Sequence, residues 1–452
     1  MGMAFADVLL SETDATLILI DRHHRPGGHW NDAYPFVRLH QPSAFYGVNS
    51  RALGSGVKDA VGWNAGLYEL ASGAEVCGYF DQVMQQRFLP SGRVQYFPRC
   101  EWHGDGRFTS LPSGRERRVT ARRKTVDSTY MNVMVPSVRG PLYAVAPGVR
   151  CIPLNGLVNA ERPASGYVIV GAGKTGMDAA LWLLANDVDP DAITWIMPRD
   201  SWLLDRATIQ PAELSGGLVA GVAKQTEAIA GADSIEGVLD AVHACGQLLR
   251  LDERVRPSMY RCATVTQAEL EQLRRIRNVI RRGRVKSLEP KQIVLEKGSL
   301  ASDPGKLFVD CSADGLARRP VAPVFAGERI TLQSVRTCQQ VFSAAFIAHV
   351  EAAYGDDASK NELCKVVPHP NTDLDFLRTT LGNALNTIRW AKDPALAAWV
   401  ASSRLDIFHS AALASRRDDP LLADAQQRLA QYMLPAIAKL RQLLTEVDGS
   451  AP

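Results

Sequence analysis

The sequence predicts an α/β fold in which two parallel-sheet units of one type, the second inserted in the first, are followed by a C-terminal helical region. Three observations carry this. Tyr167-Val168-Ile169-Val170 reads as an apolar strand, the turn Gly171-Ala172-Gly173-Lys174-Thr175-Gly176 follows it, and a run rich in alanine and leucine continues from the last glycine as a helix. Residues 2–20 repeat the later part of that unit: Gly2-Met3 aligns on Gly176-Met177, and the helical runs lead to strands at Thr16 to Ile20 and at Ile193 to Met197. From Ser334 onward the apolar spacing is helical, as in Asp373 to Trp390 and Ala423 to Leu444. A chain of 452 residues has room for two or three such domains.

The elements follow in order. The first copy of the repeat opens at what would be its final glycine, Gly2, without the strand and first two glycines of the second copy. The expectation is a start codon placed too far downstream or a truncated chain. Residues 26–105 are loop-rich and aromatic, with Trp30, Tyr34, Phe36, Phe45, Tyr46 and Trp63 among their rings. From Arg107 short alternating stretches predict a small antiparallel insertion, whose basic run Arg115 to Lys124 reads as charge on a solvent face. The second unit carries helical insertions between Pro211 and Cys245 and between Thr266 and Ile280, then a hairpin of Arg284 to Leu288 and Gln292 to Glu296. Val126-Asp127-Ser128-Thr129 before this unit is echoed by Val309-Asp310-Cys311-Ser312 after it, which suggests where the chain leaves and re-enters the first unit. The expected divisions are 1–160, 161–305, a return segment 306–340, and a helical region 341–452.

Composition excludes several function classes. A net charge of +3 and 46% hydrophobic residues give no basis for a nucleic-acid or membrane partner, and no apolar run is long enough for a spanning helix. Met1 to Leu10 lacks a basic leader and contains Asp7, so cytoplasm is the expected compartment. The eight cysteines are scattered without C-x-x-C, which argues against a zinc ribbon or a dithiol redox centre; each reads as a small buried apolar residue. His23, His24 and His29 lack partners at ligand spacing, so no metal is expected. No G-x-S-x-G elbow supports a hydrolase.

The chemistry lies in the glycine turns, which identify both units as Rossmann-like dinucleotide-binding domains. Gly171 allows the tight turn, Gly173 lets backbone approach a pyrophosphate, and Gly176 lets helix pack on strand, while Lys174 and Thr175 stand where the helix N-terminus meets the anion. An acidic residue after the second strand would bond a ribose hydroxyl, but Met197 and Pro198 lead here to Arg199. An arginine suits a 2′-phosphate, so NADPH is expected; the alternative gives the ribose to Asp200. In the first unit the corresponding strand ends at Asp21, with Arg22 beside it, as expected for a plain ADP ribose. One site for NADPH and one for an unphosphorylated ADP moiety fit a flavoprotein carrying FAD and reduced by NADPH.

One further segment carries a family resemblance. Gly27-Gly28-His29-Trp30, followed by Tyr34-Pro35-Phe36-Val37-Arg38-Leu39-His40-Gln41-Pro42-Ser43-Ala44-Phe45-Tyr46, forms G-G-x-W and Y-P-x-x-R-x-x-x-P-S-x-x-Y just after the first acidic strand. This resembles the class B flavoprotein monooxygenases: flavin-containing monooxygenases, Baeyer–Villiger monooxygenases and N-hydroxylases. The resemblance covers residues 1 to about 335. It implies two dinucleotide-binding domains, FAD in the first and NADPH in the second, and oxygen transfer to a small organic substrate. Carried over residue by residue, it makes Gly2 the third glycine of the FAD turn and Asp21 the adenosine ribose ligand. Gly27, Gly28 and Trp30 would lie along the flavin; Gly171, Gly173, Gly176 and Arg199 would serve NADPH.

The chain departs from the pattern where Baeyer–Villiger enzymes carry an aspartate and this sequence has His40. An imidazole titrating near neutrality could protonate or orient oxygen at the flavin, which makes His40 the catalytic candidate; a structural hydrogen bond is the alternative. Two other functions stay open: a flavin-dependent reductase or dehydrogenase without oxygen insertion, and a non-catalytic nucleotide-binding protein.

Overall fold

The computed structural model describes residues 1–161, 163–409 and 420–449. Its chain builds an α/β architecture with one larger parallel sheet and two two-stranded parallel ones. In the larger, five strands run in the order Arg150–Pro153, Leu307–Asp310, Tyr167–Val170, Ile193–Ile196, Asn278–Ile280, all parallel. Tyr167–Val170 is central, and its Val168 and Ile169 are fully buried. Continuous apolar strands of this kind need cover on both faces. The helix Lys174–Ala185 lies in the cluster on one side, through Met177, Ala180 and Leu184; the hairpin residues Leu288, Ile293 and Leu295 pack on the other.

This pairing shifts the expected divisions. Arg150–Pro153 and Leu307–Asp310 both belong to the second sheet, so that unit starts before residue 161 and continues past 305. The return segment joins the first unit through Arg329–Thr331, which pairs in parallel with Thr125–Asp127. The helix Gln340–Ala353 is likewise part of the first unit rather than of a separate helical region. Its Phe342 and Phe346 share a core with Ala4, Phe5 and Val8 of the helix Gly2–Glu12. Of the later helices, Pro420–Gly449 packs through Ala436, Leu440 and Leu443 against Trp202, Ile229 and Val238 of the second unit.

In the first unit, Leu17–Ile20 pairs in parallel with Val94–Phe97. The Leu17 N–H donates to Arg93 and the Asp21 N–H to Phe97, so alternation turns the backbone groups of Ile18 and Ile20 to the opposite edge. Val126 turns the same way from its strand, because Thr125 and Asp127 bond to Glu328 and Leu332. Both edges line one large cavity. The basic insertion forms a three-stranded antiparallel sheet, Cys100–Gly104, Arg107–Ser110 and Glu116–Arg118, with the last strand exposed throughout. No described helix is long and apolar enough to cross a membrane.

Candidate dinucleotide and redox site

The glycines of the second turn divide their work by what surrounds them. Gly171 sits at φ +132°, and a Cβ there would lie 2.4 Å from the Cys311 carbonyl oxygen; one on Gly176 would lie 2.3 Å from that of Gly171. Those two close the turn onto its neighbours. Gly173 has nothing within 4 Å of its Cβ position and lines the cavity with Lys174 and Thr175 at the start of the helix Lys174–Ala185. Bare backbone and open helix N–H groups suit a pyrophosphate. The Lys174 ammonium pairs with Asp178, which also accepts the Tyr34 hydroxyl from the first unit's loop.

Gly2 shows the corresponding packing in the first unit: its Cβ position lies 3.0 Å from Ser128 Oγ, at the chain crossing that echoes Cys311. At the end of the first strand Asp21 accepts the His23 backbone N–H at 2.9 Å and pairs with its Nδ1 at 3.0 Å. Asp32 holds His23 Nε2 at 2.9 Å. The hydrogen bond to Asp21, then that to Asp32, holds the His23 pKa above its usual value against the opposing effect of burial. Both Asp21 and the exposed Arg22 line the cavity, where a ribose could be held. Gly27 and Gly28 lie at φ +130° and +54°, conformations that favour glycine, and they line it with Trp30.

All these loops open into one cavity of about 2080 Å³. Single small-molecule sites span roughly 300–1,000 Å³, so this volume accommodates more than one such ligand. Its wall also carries His40, His369, Gln339 and Gln340, each with a buried polar atom lacking a partner: both histidine Nδ1 atoms, Gln339 Oε1 and Gln340 Nε2. Buried polar groups without partners cost stability, and a heterocycle rich in carbonyls and ring nitrogens would satisfy them. The residues present therefore fit a flavin. The expectation that His40 titrates near neutrality is corrected: burial, with Lys174, Arg206 and His369 nearby, pushes its pKa down to about 3. His40 is a neutral imidazole, and Arg206 secures its backbone by donating Nε to the His40 carbonyl at 3.0 Å.

Arg199 does not line this cavity. Its Nη2 donates to Asn371 Oδ1 at 3.0 Å, an oxygen it shares with Arg261. Arg261 does line the cavity and pairs with Asp314 at 2.7 Å. Burial, reinforced by neighbouring arginines, lowers the pKa of Arg199, so an anion there would be welcome. Sequence reasoning passed over Arg261, Asn371 and His369, because what joins them to the turn is tertiary and leaves no local pattern.

The reading of every cysteine as an isolated apolar residue is also corrected. Cys262 and Cys338 form a disulfide across 76 residues of sequence, with their Cα atoms 6.5 Å apart. No short motif could show a pairing at that separation. Among the described residues, no group of three or more histidine, cysteine or acidic side chains is placed to hold a metal.

Comparison with known proteins adds a lineage. No family model matches the chain. Uncharacterized protein Rv2000 of Mycobacterium tuberculosis and Uncharacterized protein Mb2023 of Mycobacterium bovis are each 56% identical to it over 412 residues, spanning 90% of this chain and 76% of theirs. The chain belongs to the family of these mycobacterial proteins. Among solved structures it is similar to cyclohexanone-bound cyclohexanone monooxygenase, at 12% identity and a TM-score of 0.49, covering 92% of this chain and 95% of that one. L-lysine 6-monooxygenase from Pseudomonas syringae also aligns, at 12% identity and a TM-score of 0.29, over 66% of this chain and 77% of that one.

Proposed function

We propose that the protein is an FAD-dependent oxidoreductase reduced by NADPH, acting in the manner of a monooxygenase on a small organic substrate. The observation that carries this reading is the shared cavity. It is lined by the Gly27-Gly28 loop and Asp21 of the first unit and by the Gly173 turn of the second, and it holds the partnerless polar atoms of His40, His369, Gln339 and Gln340.

When bound, FAD supplies hydride acceptance from NADPH and reactivity of the reduced ring with oxygen. The chain's part is placement. Gly173 and the N–H groups of the helix it precedes would hold the NADPH pyrophosphate, and Arg199, joined to the cavity wall through Asn371 and Arg261, would reach the 2′-phosphate from outside that lining. Asp21 would hold the adenosine ribose of FAD through the carboxylate oxygen that His23 leaves free. Gly27 and Gly28 present backbone without side chains, allowing the flavin ring to lie close. His40, neutral and with Nδ1 unpartnered, can offer one hydrogen bond at the ring without carrying charge into the cavity.

Anaerobic titration of the purified protein with FAD, followed by NADPH, tests the reading. Protein-bound flavin should lose its oxidised absorption with NADPH faster than with NADH. Absence of FAD binding, or bound flavin that no nicotinamide reduces, would overturn it.

A further inference from the structure

The Cys262–Cys338 pair lies in the wall of the same cavity as the Gly27-Gly28 loop, the Gly173 turn and His40. Each half comes from a different unit. Cys262 belongs to the strand Met259–Val265, whose register against Ser201–Asp205 jumps from Tyr260 opposite Trp202 to Thr264 opposite Leu204. That bulge re-aims the side chains between, as bulges beside active sites do. Cys338 stands just before the helix Gln340–Ala353, in a loop gripped on several sides. The Arg336 guanidinium is buried, paired with Asp406 and 4.7 Å from the Phe342 ring centre, while the Thr337 N–H donates to Asn383 Oδ1 at 3.0 Å. Both cysteines adopt left-handed backbone, φ +56° and +63°, a conformation unfavourable for a non-glycine residue that clusters at functional sites.

A bridge serving only stability has no need to face a cavity. This one does: both cysteines line the cavity, with Cys262 buried and Cys338 half-buried. Cys338 immediately precedes Gln339, the N-cap of the helix Gln340–Ala353.

We propose that Cys262 and Cys338 are a redox-active pair that takes two electrons from dihydroflavin and passes them to a small disulfide substrate. This rests on the flavin reading above and gives the protein an electron outlet other than oxygen. In the first step the S–S bond breaks, two electrons and two protons pass from dihydroflavin to the sulfurs, and oxidised flavin and two thiols result. In the second, the Cys338 thiolate attacks the substrate disulfide and expels one thiol. Cys262 then attacks Cys338, releasing the second thiol and restoring the bridge.

The test counts thiols and so does not depend on turnover. The protein has eight cysteines, of which six are free. Alkylation after denaturation should find six thiols in protein incubated with oxidised FAD alone, and eight after anaerobic incubation with FAD and NADPH, with Cys262 and Cys338 as the newly labelled positions. A parallel arm supplies FAD photoreduced without NADPH. Opening in that arm but not with NADPH would uphold the pair and overturn the NADPH reading. A bridge that stays closed with reduced flavin from either source would overturn the proposal, as would eight thiols before any reduction. With 5,5′-dithiobis(2-nitrobenzoate) as the probe disulfide, NADPH-dependent release of its thiol should be lost in C338S and in C262S; retention in both would equally overturn it.

Discussion

Arg281 grips Asp200 through two charge-assisted hydrogen bonds, Nε to Oδ2 at 2.8 Å and Nη2 to Oδ1 at 2.9 Å. Both carboxylate oxygens are thereby engaged and the side chain is buried. An aspartate so committed is a poor ribose ligand, since binding there would have to break a paired, charge-assisted contact.

The consequence falls on Arg199, one residue earlier. In the proposed function, with Asp200 committed, discrimination between the nicotinamide cofactors would rest on whether Arg199 bonds a 2′-phosphate. Arg199→Ala should weaken NADPH by about 1.5–3 kcal/mol, the worth of a charge-assisted hydrogen bond, and leave NADH nearly untouched. Rates of flavin reduction measured across concentrations of each cofactor decide it. Equal losses with both would show that Arg199 does not read the phosphate.

The three glycines of the second turn should separate by phenotype. Gly173→Val adds a side chain to open space, so the variant should fold with a near-normal melting temperature yet fail to accept electrons from NADPH. Gly171→Ala and Gly176→Ala place a Cβ within 2.4 Å and 2.3 Å of backbone oxygens and should instead lower the melting temperature. A Gly173 variant as unstable as the other two would remove the case for a pyrophosphate contact.

How much of this was legible depends on whether the signal was local. Helix Asp373–Trp390 was readable from its apolar spacing, and the structure adds a capping box at Thr372 and Asp375. Helix Gly73–Val83 was overlooked although Ser72 and Glu75 spell its capping box, because the surrounding aromatic residues were read as loop. The glycine turn was legible because strand, turn and helix are contiguous. The place of Leu307–Asp310 beside Tyr167–Val170 was not, since parallel pairing joins segments more than a hundred residues apart with no short turn between them. The Cys262–Cys338 bridge was hidden for the same reason: a register jump in one strand aims a side chain at a loop from another unit, and neither event has a sequence signature.

Two histidines should tilt stability in opposite directions with pH. His23, held by Asp21 and Asp32, has a folded pKa above 6.5; its contribution is fully present below that pH and is lost as pH rises through the raised value. His40 has a folded pKa of about 3 against an unfolded 6.5. The unfolded chain alone takes up its proton between those values, so His40 makes the fold less stable as pH falls from 6.5 toward 3. Thermal melting across pH should therefore lose its alkaline slope in His23→Gln and part of its acid slope in His40→Ala. Unchanged slopes in both variants would mean that these environments do not survive in solution.

The last prediction follows from the neutral state of His40. An imidazole with a pKa of about 3 cannot act as a proton donor of the imidazolium kind near neutrality, so its part in oxygen chemistry would be that of a fixed hydrogen-bond donor. Its Nδ1 is buried without a protein partner, and its backbone is tied by Arg206, so the ring is available and positioned. A neutral donor buried in the cavity wall should hold reduced oxygen in place without a pH-dependent on-off switch. If it does so, His40→Ala should raise the fraction of NADPH consumed that appears as hydrogen peroxide; one lost hydrogen bond, worth about 0.5–1.5 kcal/mol, should change that partition by up to roughly tenfold. In the unmodified protein the fraction should show no inflection near pH 6.5. Peroxide assayed against NADPH consumed, in both proteins and across pH, decides the matter. The same peroxide yield with and without the imidazole would leave His40 only its packing role beneath Arg206.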